Sequence, residues 1–148
     1  ADTLLGGAGR DRLIGGGGDD RLEILASEPD DAARVVMTGG RGADLFRLGD
    51  QAQALLDGGF LRITDFDRRE GDVFDPGGLD PVAQTETYLD PGGWSFLGNA
   101  AFTGAGAEIR YLQRRGRMLF DDDADGEADW VVRFARGTAI TEDDVLLV

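Results

Sequence analysis

The chain has 148 residues, 41% of them hydrophobic, which is one domain's length with enough apolar material for a core, unlike a disordered acidic tail. Its 29 acidic and 15 basic side chains leave a net charge of −14, which repels nucleic acid and anionic membrane and attracts cations. Neither Cys nor His occurs, which excludes disulfides, thiolate and imidazole metal sites and Ser-His triads. What remains is carboxylate and carbonyl oxygen, the ligand set of hard cations such as calcium. No apolar run approaches the roughly 18 residues that a membrane span needs, and no N-terminal signal peptide is visible.

In chain order, the first five residues, with Asp2 and Leu4, read as the tail of a repeat whose full copies follow at once. Gly6-Gly7-Ala8-Gly9-Arg10-Asp11-Arg12-Leu13-Ile14 and Gly15-Gly16-Gly17-Gly18-Asp19-Asp20-Arg21-Leu22-Glu23 both read GGxGxDxUx, with U a large apolar residue. A third copy runs Gly39-Gly40-Arg41-Gly42-Ala43-Asp44-Leu45-Phe46-Arg47. The chain thus opens inside a repeat, which predicts that residue 1 continues an upstream array and that this is the C-terminal part of a longer protein.

Each block predicts a turn followed by a short strand. The glycines allow close backbone approach, and their carbonyls can point into the turn. The Asp at the sixth position adds a carboxylate. The eighth residue (Leu4, Leu13, Leu22, Phe46) points inward, because strand neighbours alternate faces. Two blocks make one flattened coil, so each turn stacks on the turn two blocks away. A calcium ion between stacked turns takes carbonyls and one Asp from each and so reaches the six to eight oxygens it favours. The predicted ligands are Asp2, Gly6, Gly7, Gly9, Asp11, Gly15, Gly16, Gly18, Asp20, Gly39, Gly40, Gly42 and Asp44. A flexible linker shares this composition but does not hold Asp and an apolar residue in fixed phase.

The Asp2 turn is expected to face the Asp20 turn. Residues 24–38 interrupt the phase, with Ala26 to Ala33 a longer, degenerate turn and Arg34 to Thr38 a strand. Two registers follow. In one, the Asp44 turn stacks on the Asp20 turn, and Asp11 faces the degenerate turn, with Glu28, Asp30 or Asp31 as substitute ligand. In the other, the interruption loops out and Asp44 pairs with Asp11.

Beyond Leu48, Gln51 to Leu56 suits one short helix. Strand signals follow at Leu61 to Thr64, Val73-Phe74, Trp94 to Leu97, Glu108 to Leu112, Arg117 to Phe120 and Trp130 to Phe134. Turn clusters such as Asp75-Pro76-Gly77-Gly78 and Asp90-Pro91-Gly92-Gly93 separate them. Many short strands with such punctuation predict an all-β sandwich with the aromatics in its core. Arg110, Arg114, Arg115 and Arg117 form a basic strip suited either to solvent or to a glycan. Paired-carboxylate hydrolysis is disfavoured, because the Asp residues fall in calcium phase without a partnering acid.

Asp121-Asp122-Asp123-Ala124-Asp125-Gly126-Glu127-Ala128-Asp129 reads DxDxDGxxD, the front half of an EF-hand-type loop. Val132 stands where the closing Glu belongs, so Asp129 is the alternative closing ligand of a second calcium site at Asp121, Asp123, Asp125 and Asp129. The other reading is a solvated acidic hairpin turn. At the end, Thr141-Glu142-Asp143-Asp144 precedes Val145-Leu146-Leu147-Val148, which reads as an acidic turn and a final edge strand. The same segment also has the character of a C-terminal export signal.

The nonapeptides resemble those of RTX proteins exported by type I secretion. Downstream, Ile63 to Asp67 (ITDFD), Gly71 to Asp75 (GDVFD), Ser95 to Tyr111 and Asp123 to Trp130 resemble the C-terminal domain of serralysin-type metalloproteases. The resemblance implies a parallel β-roll (1–48, interrupted at 24–38) running into an antiparallel β-sandwich (49–148) as one continuous unit. It implies calcium in the turns and an uncleaved secretion signal, here Asp143, Asp144, Val145, Leu146, Leu147 and Val148. It also implies export through an ABC transporter to the bacterial exterior. Further partners would be upstream repeats or a catalytic domain of the parent chain. The chain itself is expected to be non-catalytic, since the zinc-binding HExxH helix of those proteases is absent. A glycan- or partner-binding module of an exported polysaccharide-modifying enzyme or adhesin is the alternative.

Overall fold

A computed structural model describes residues 1–25, 33–49, 52–77, 79 and 93–147. The repeats wind as the phase requires, strand and turn alternating between two sheets. β1 (Thr3–Gly6), β3 (Arg21–Ile24), β5 (Leu45–Leu48) and β7 (Val73–Asp75) lie parallel, in that order, in the first sheet. β2 (Arg10–Gly17), β4 (Arg34–Arg41) and β6 (Phe60–Ile63) lie parallel in the second. The eighth-position residues align across the first sheet, Leu4 beside Leu22, then Phe46, then Phe74. Leu13, Met37 and Ile63 align across the second. The parallel winding therefore runs on past Leu48 to Asp75.

The helix α1 (Ala52–Leu56) follows β5 and adds buried Ala52, Leu55 and Leu56 to the core. The remaining strands are β8 (Ser95–Phe96), β9 (Glu108–Leu112), β10 (Arg117–Asp121) and β11 (Trp130–Arg133). β11 joins the second sheet beside β6, in parallel through the pair Arg133–Arg62. β11, β10 and β9 then continue antiparallel, with β8 at the far edge. The fold is all-β, and the two sheets enclose one hydrophobic core.

Aromatic rings join the coil to the strands that follow it. Phe74 lies edge-on to Phe134, with centroids 5.8 Å apart, and tilted against Phe120 at 6.5 Å. Phe66 links Phe46 to Phe134, and Trp94 links Phe120 to Trp130. Both indoles are anchored as well, Trp94 Nε1 donating to the Leu79 carbonyl and Trp130 Nε1 to Asp57. The Tyr111 hydroxyl donates to the Thr138 carbonyl at 2.8 Å, and burial pushes its pKa up to about 12.

The C-terminus differs from the expected edge strand. Glu142–Asp144 form a 3₁₀ turn, and only Val145 bridges β7, in parallel opposite Phe74. The reason is local: the Asp144 carboxylate accepts from both the Thr141 N–H and its hydroxyl, which closes a turn directly before Val145. Val148 lies outside the described residues.

Phe74 is fully buried where the coil, the β9–β11 strands and the C-terminus meet. Phe74→Ala is expected to cost roughly 3–5 kcal/mol in denaturant unfolding at saturating calcium. Leu5→Ala, at a side chain 56% exposed, is expected to change stability by under about 0.5 kcal/mol.

Candidate metal centre

Parallel pairing stacks the turns on one side of the coil. Gly16 lies opposite Gly40 and Gly17 opposite Arg41, so the turn carrying Asp44 sits on the turn carrying Asp20. This is the first of the two registers open to the sequence. Thr3 lies opposite Arg21, which brings Asp2 to the same column, and Val73 lies opposite Leu45, which adds Asp72.

The result is a column of aspartates. The Asp2 N–H donates to Asp20 Oδ1 at 2.6 Å, the Asp20 N–H to Asp44 Oδ1 at 2.9 Å, and the Asp44 N–H to Asp72 Oδ1 at 2.9 Å. Asp20, Asp44 and Asp72 are at most 3% exposed. A single N–H does not satisfy a buried carboxylate, which has about four acceptor sites. Asp72 Oδ2 takes a second bond from the Asp67 N–H at 2.8 Å. Asp20 Oδ2 and Asp44 Oδ2 are buried and accept none.

Those bare oxygens face glycine turns. A methyl group on Gly15 would sit 2.6 Å from both Asp20 Oδ2 and the Gly39 carbonyl oxygen, so these oxygens border one small space. One level on, a methyl group on Gly39 would collide with Asp44 Oδ2. Gly40, at φ +106°, passes so close to the Gly16 carbonyl that no side chain fits there. Carboxylate and carbonyl oxygens converging in a space of this kind suit a hard divalent cation.

The electrostatics agree. Burial pushes the Asp72 carboxyl up to about 6, and the charges of Asp44 and Asp65 add to it against the two N–H donors. Burial likewise raises Asp44. The Asp20 N–H opposes the shift, and the carboxylates of Asp20, Asp65 and Asp19 reinforce it. Such a stack of buried like charges is relieved by a cation among the oxygens.

Two members of this centre escape the nonapeptide pattern. Asp65 accepts from the Gly39 and Gly40 N–H groups at 2.9 and 2.8 Å, closing turn 64–72 over turn 39–44. Asp72 occupies the sixth-position site of a turn enlarged to residues 64–72. The signal for it was present, since Gly71-Asp72-Val73-Phe74 repeats the form of Ala43-Asp44-Leu45-Phe46. Asp19 also contributes, accepting from the Ala43 N–H at 2.9 Å.

The other predicted residues are dispersed. Asp11 lies in the turn Gly6 to Asp11 on the opposite side of the coil, and its carboxylate accepts from the Gly7 N–H at 2.8 Å within that turn, which also holds Gly9. The stretch expected to face it, with Glu28, Asp30 and Asp31, lies outside the described residues. In the β10–β11 hairpin, Asp121, Asp123 and Asp129 each bring one carboxylate oxygen within 4.8 Å of the others. Asp125 does not join them and accepts instead from the Glu127 N–H at 2.7 Å. Burial raises the Asp121 carboxyl, the backbone donors of Gly126 and Ala124 oppose, and Asp125 and Asp129 add to the shift. At the terminus, Asp144 and Val145 are buried, Asp143 and Leu146 are exposed and Leu147 is half-buried.

Residues 1–23 match the family described as RTX calcium-binding nonapeptide repeat (4 copies). No curated protein matches the chain. The column side of the coil thus begins in repeats of a calcium-binding family, and the metal of this protein is calcium.

Proposed function

We propose that this chain is the non-catalytic C-terminal part of a larger exported bacterial protein, a module that folds on calcium outside the cell and carries its own type I secretion signal. The observation that supports this most is the buried aspartate column with its bare oxygens at Asp20 and Asp44. Calcium between turns 15–20 and 39–44 would be held by Asp20, Asp44 and the glycine carbonyls. A further ion would lie between turns 39–44 and 64–72. Calcium supplies the positive charge that lets these turns stack. Where calcium is scarce, the stacked carboxylates repel and the glycine-rich backbone has a large ordering cost, so the segment stays open and exportable. Outside the cell, binding free energy becomes folding free energy.

The secretion signal assigned to Asp143 through Val148 suits this order of events. Asp144 and Val145 are buried in the folded chain and are available to an ABC transporter only before folding. The serralysin-like character of residues 63–130 supports the same placement behind an exported enzyme. The parallel winding, which runs on to Asp75, and the strands that extend its second sheet then act as one unit.

A specific observation favours a second reading, binding of an acidic glycan. Arg62, Arg133 and Arg117 lie side by side across β6, β11 and β10. Arg114, Arg115 and Arg136 border the same depression as Arg117. None of these six forms an ion pair among the described residues, although the chain is strongly acidic. Arginine forks suit the carboxylates of a polyuronate.

Far-UV circular dichroism of the full chain, titrated with calcium from EDTA to millimolar, is expected to show a cooperative gain of β signal that magnesium does not reproduce. Asp44→Ala is expected to shift the midpoint at least tenfold. A fold already complete in EDTA, or an unshifted midpoint, contradicts the folding switch. If the glycan reading holds, polyuronate perturbs the resonances of Arg114, Arg115 and Arg117 while a neutral glycan does not, and Arg115→Ala with Arg117→Ala abolishes the effect.

A further inference from the structure

At the base of the β10–β11 hairpin two buried carboxylates lie side by side across β9 and β10, and the protein treats them differently. Glu108 and Asp121 are directly opposite in the β9–β10 pair and are 4% and 0% exposed. The Glu108 carboxylate is enclosed by donors, namely the Thr103 hydroxyl, the Thr103 N–H at 2.7 Å and the Gly104 N–H at 3.3 Å. Asp121 Oδ2 accepts from the Gly126 N–H at 2.9 Å and the Ala124 N–H also favours the ionised carboxylate, but no hydrogen bond meets the buried Oδ1. A carboxylate oxygen left bare in the interior is destabilising unless something else meets it.

What surrounds Asp121 is further carboxylate. One oxygen each from Asp121, Asp123 and Asp129 lies within 4.8 Å of the others. Backbone donors fix the outer two, the Asp125 N–H on Asp123 Oδ1 at 3.1 Å and the Asp122 N–H on Asp129 Oδ2 at 2.7 Å. None of the three forms an ion pair with an arginine among the described residues. The donor set is all carboxylate oxygen, and the chain has neither His nor Cys, which selects a hard divalent cation over zinc or copper. Magnesium is disfavoured because it keeps its waters and demands a regular octahedron, whereas calcium accepts an irregular carboxylate group completed by water.

We propose that the β10–β11 hairpin is a calcium site separate from the glycine turns, with Asp121, Asp123 and Asp129 as its protein ligands. Asp125 shapes the loop rather than holding the ion. Val132, at the place of an EF-hand's closing Glu, is buried in β11, and Asp129 closes the site instead. The ion fastens the strand pair that attaches to the coil, because β11 is the strand bonded to β6 and its Trp130 packs on Trp94.

The site can be read independently of the coil, because Trp130 follows Asp129 directly and no Trp lies in the glycine turns. Terbium, a calcium substitute, bound to the full chain is expected to give tryptophan-sensitised emission that calcium displaces. Asp123→Asn, at an exposed position, and Asp129→Asn are each expected to remove most of that emission and to lower calorimetric stoichiometry by one calcium per chain. Asp125→Asn is expected to retain both. Asp20→Ala is expected to leave the sensitised emission in place, which separates failure of this site from failure of the glycine-turn sites. Sensitised emission and calcium stoichiometry unchanged in Asp123→Asn and Asp129→Asn would overturn the proposal. Absence of sensitised emission in the unsubstituted chain would overturn it as well.

Discussion

Parallel winding repeats every position one strand spacing away, about 4.8 Å, and the rest of this structure depends on that repetition. A sixth-position Asp in each turn becomes a column of Asp2, Asp20, Asp44 and Asp72. Neighbouring charges at such a spacing repel by about 3 kcal/mol per pair at an effective dielectric of about 20. One backbone N–H per level meets part of each charge and leaves Asp20 Oδ2 and Asp44 Oδ2 bare. The column cannot escape by sliding. The same register stacks Leu4, Leu22, Phe46 and Phe74 on the core side, and a slip of one residue would turn that ladder outward. Hydrophobic packing therefore enforces the charge stacking, and a cation is the partner that makes both tolerable.

The core explains why the coil is not an appendage to the strands that follow. Phe66 and Phe74 come from turn 64–72 and β7, yet both rings meet Phe134, and Phe74 also meets Phe120. β11 extends the second sheet of the coil through Arg62 and Arg133. Ordering of the turns thus acts on the same apolar cluster that the later strands bury. Loss of turn stacking would expose Phe46 and Phe74 together, and with them the seat of Val145.

Much of this was legible in the sequence because glycine and aspartate in fixed phase constrain both backbone and charge. The stacking of Asp44 on Asp20 follows from reading residues 24–38 as one full turn and strand, and β4 begins at Arg34 as that reading requires. Asp65 was not legible as a member of the column, because turn 64–72 is longer and carries Asp and Phe where the repeat has glycine, and Asp72 left only the short trace Gly71-Asp72-Val73-Phe74. Only the register of β5 with β7 brings Asp72 beneath Asp44. At Asp121 to Asp129 the alternating carboxylates were visible, but not which of them converge. Strand pairing buries Asp121, and a local bond to the Glu127 N–H turns Asp125 away. The C-terminal edge strand failed for a similar reason, since the bonds from Thr141 to Asp144 outweigh the apolar run in setting the local backbone.

The acidic residues sort themselves by how their buried oxygens are met. Glu108 has three donors from one short loop. Burial alone would raise its pKa, yet those hydrogen bonds hold it below the ordinary carboxylate range. Asp144 is met by Thr141 and by Arg68 at 3.1 Å, and Glu23 by Arg21 at 2.6 Å. These groups are satisfied within the chain and have no need of a metal. Asp20, Asp44 and Asp121 are as deeply buried, and each keeps one oxygen that no donor or arginine reaches. Composition alone does not separate the two classes, since all are carboxylates in a chain of charge −14. The separation comes from neighbours: threonine and arginine beside the structural acids, glycine and further aspartate beside the others. Residues with small or like-charged neighbours keep the space and the negative potential that a calcium ion requires, and the fold places them where strand register, rather than side-chain reach, brings their oxygens together.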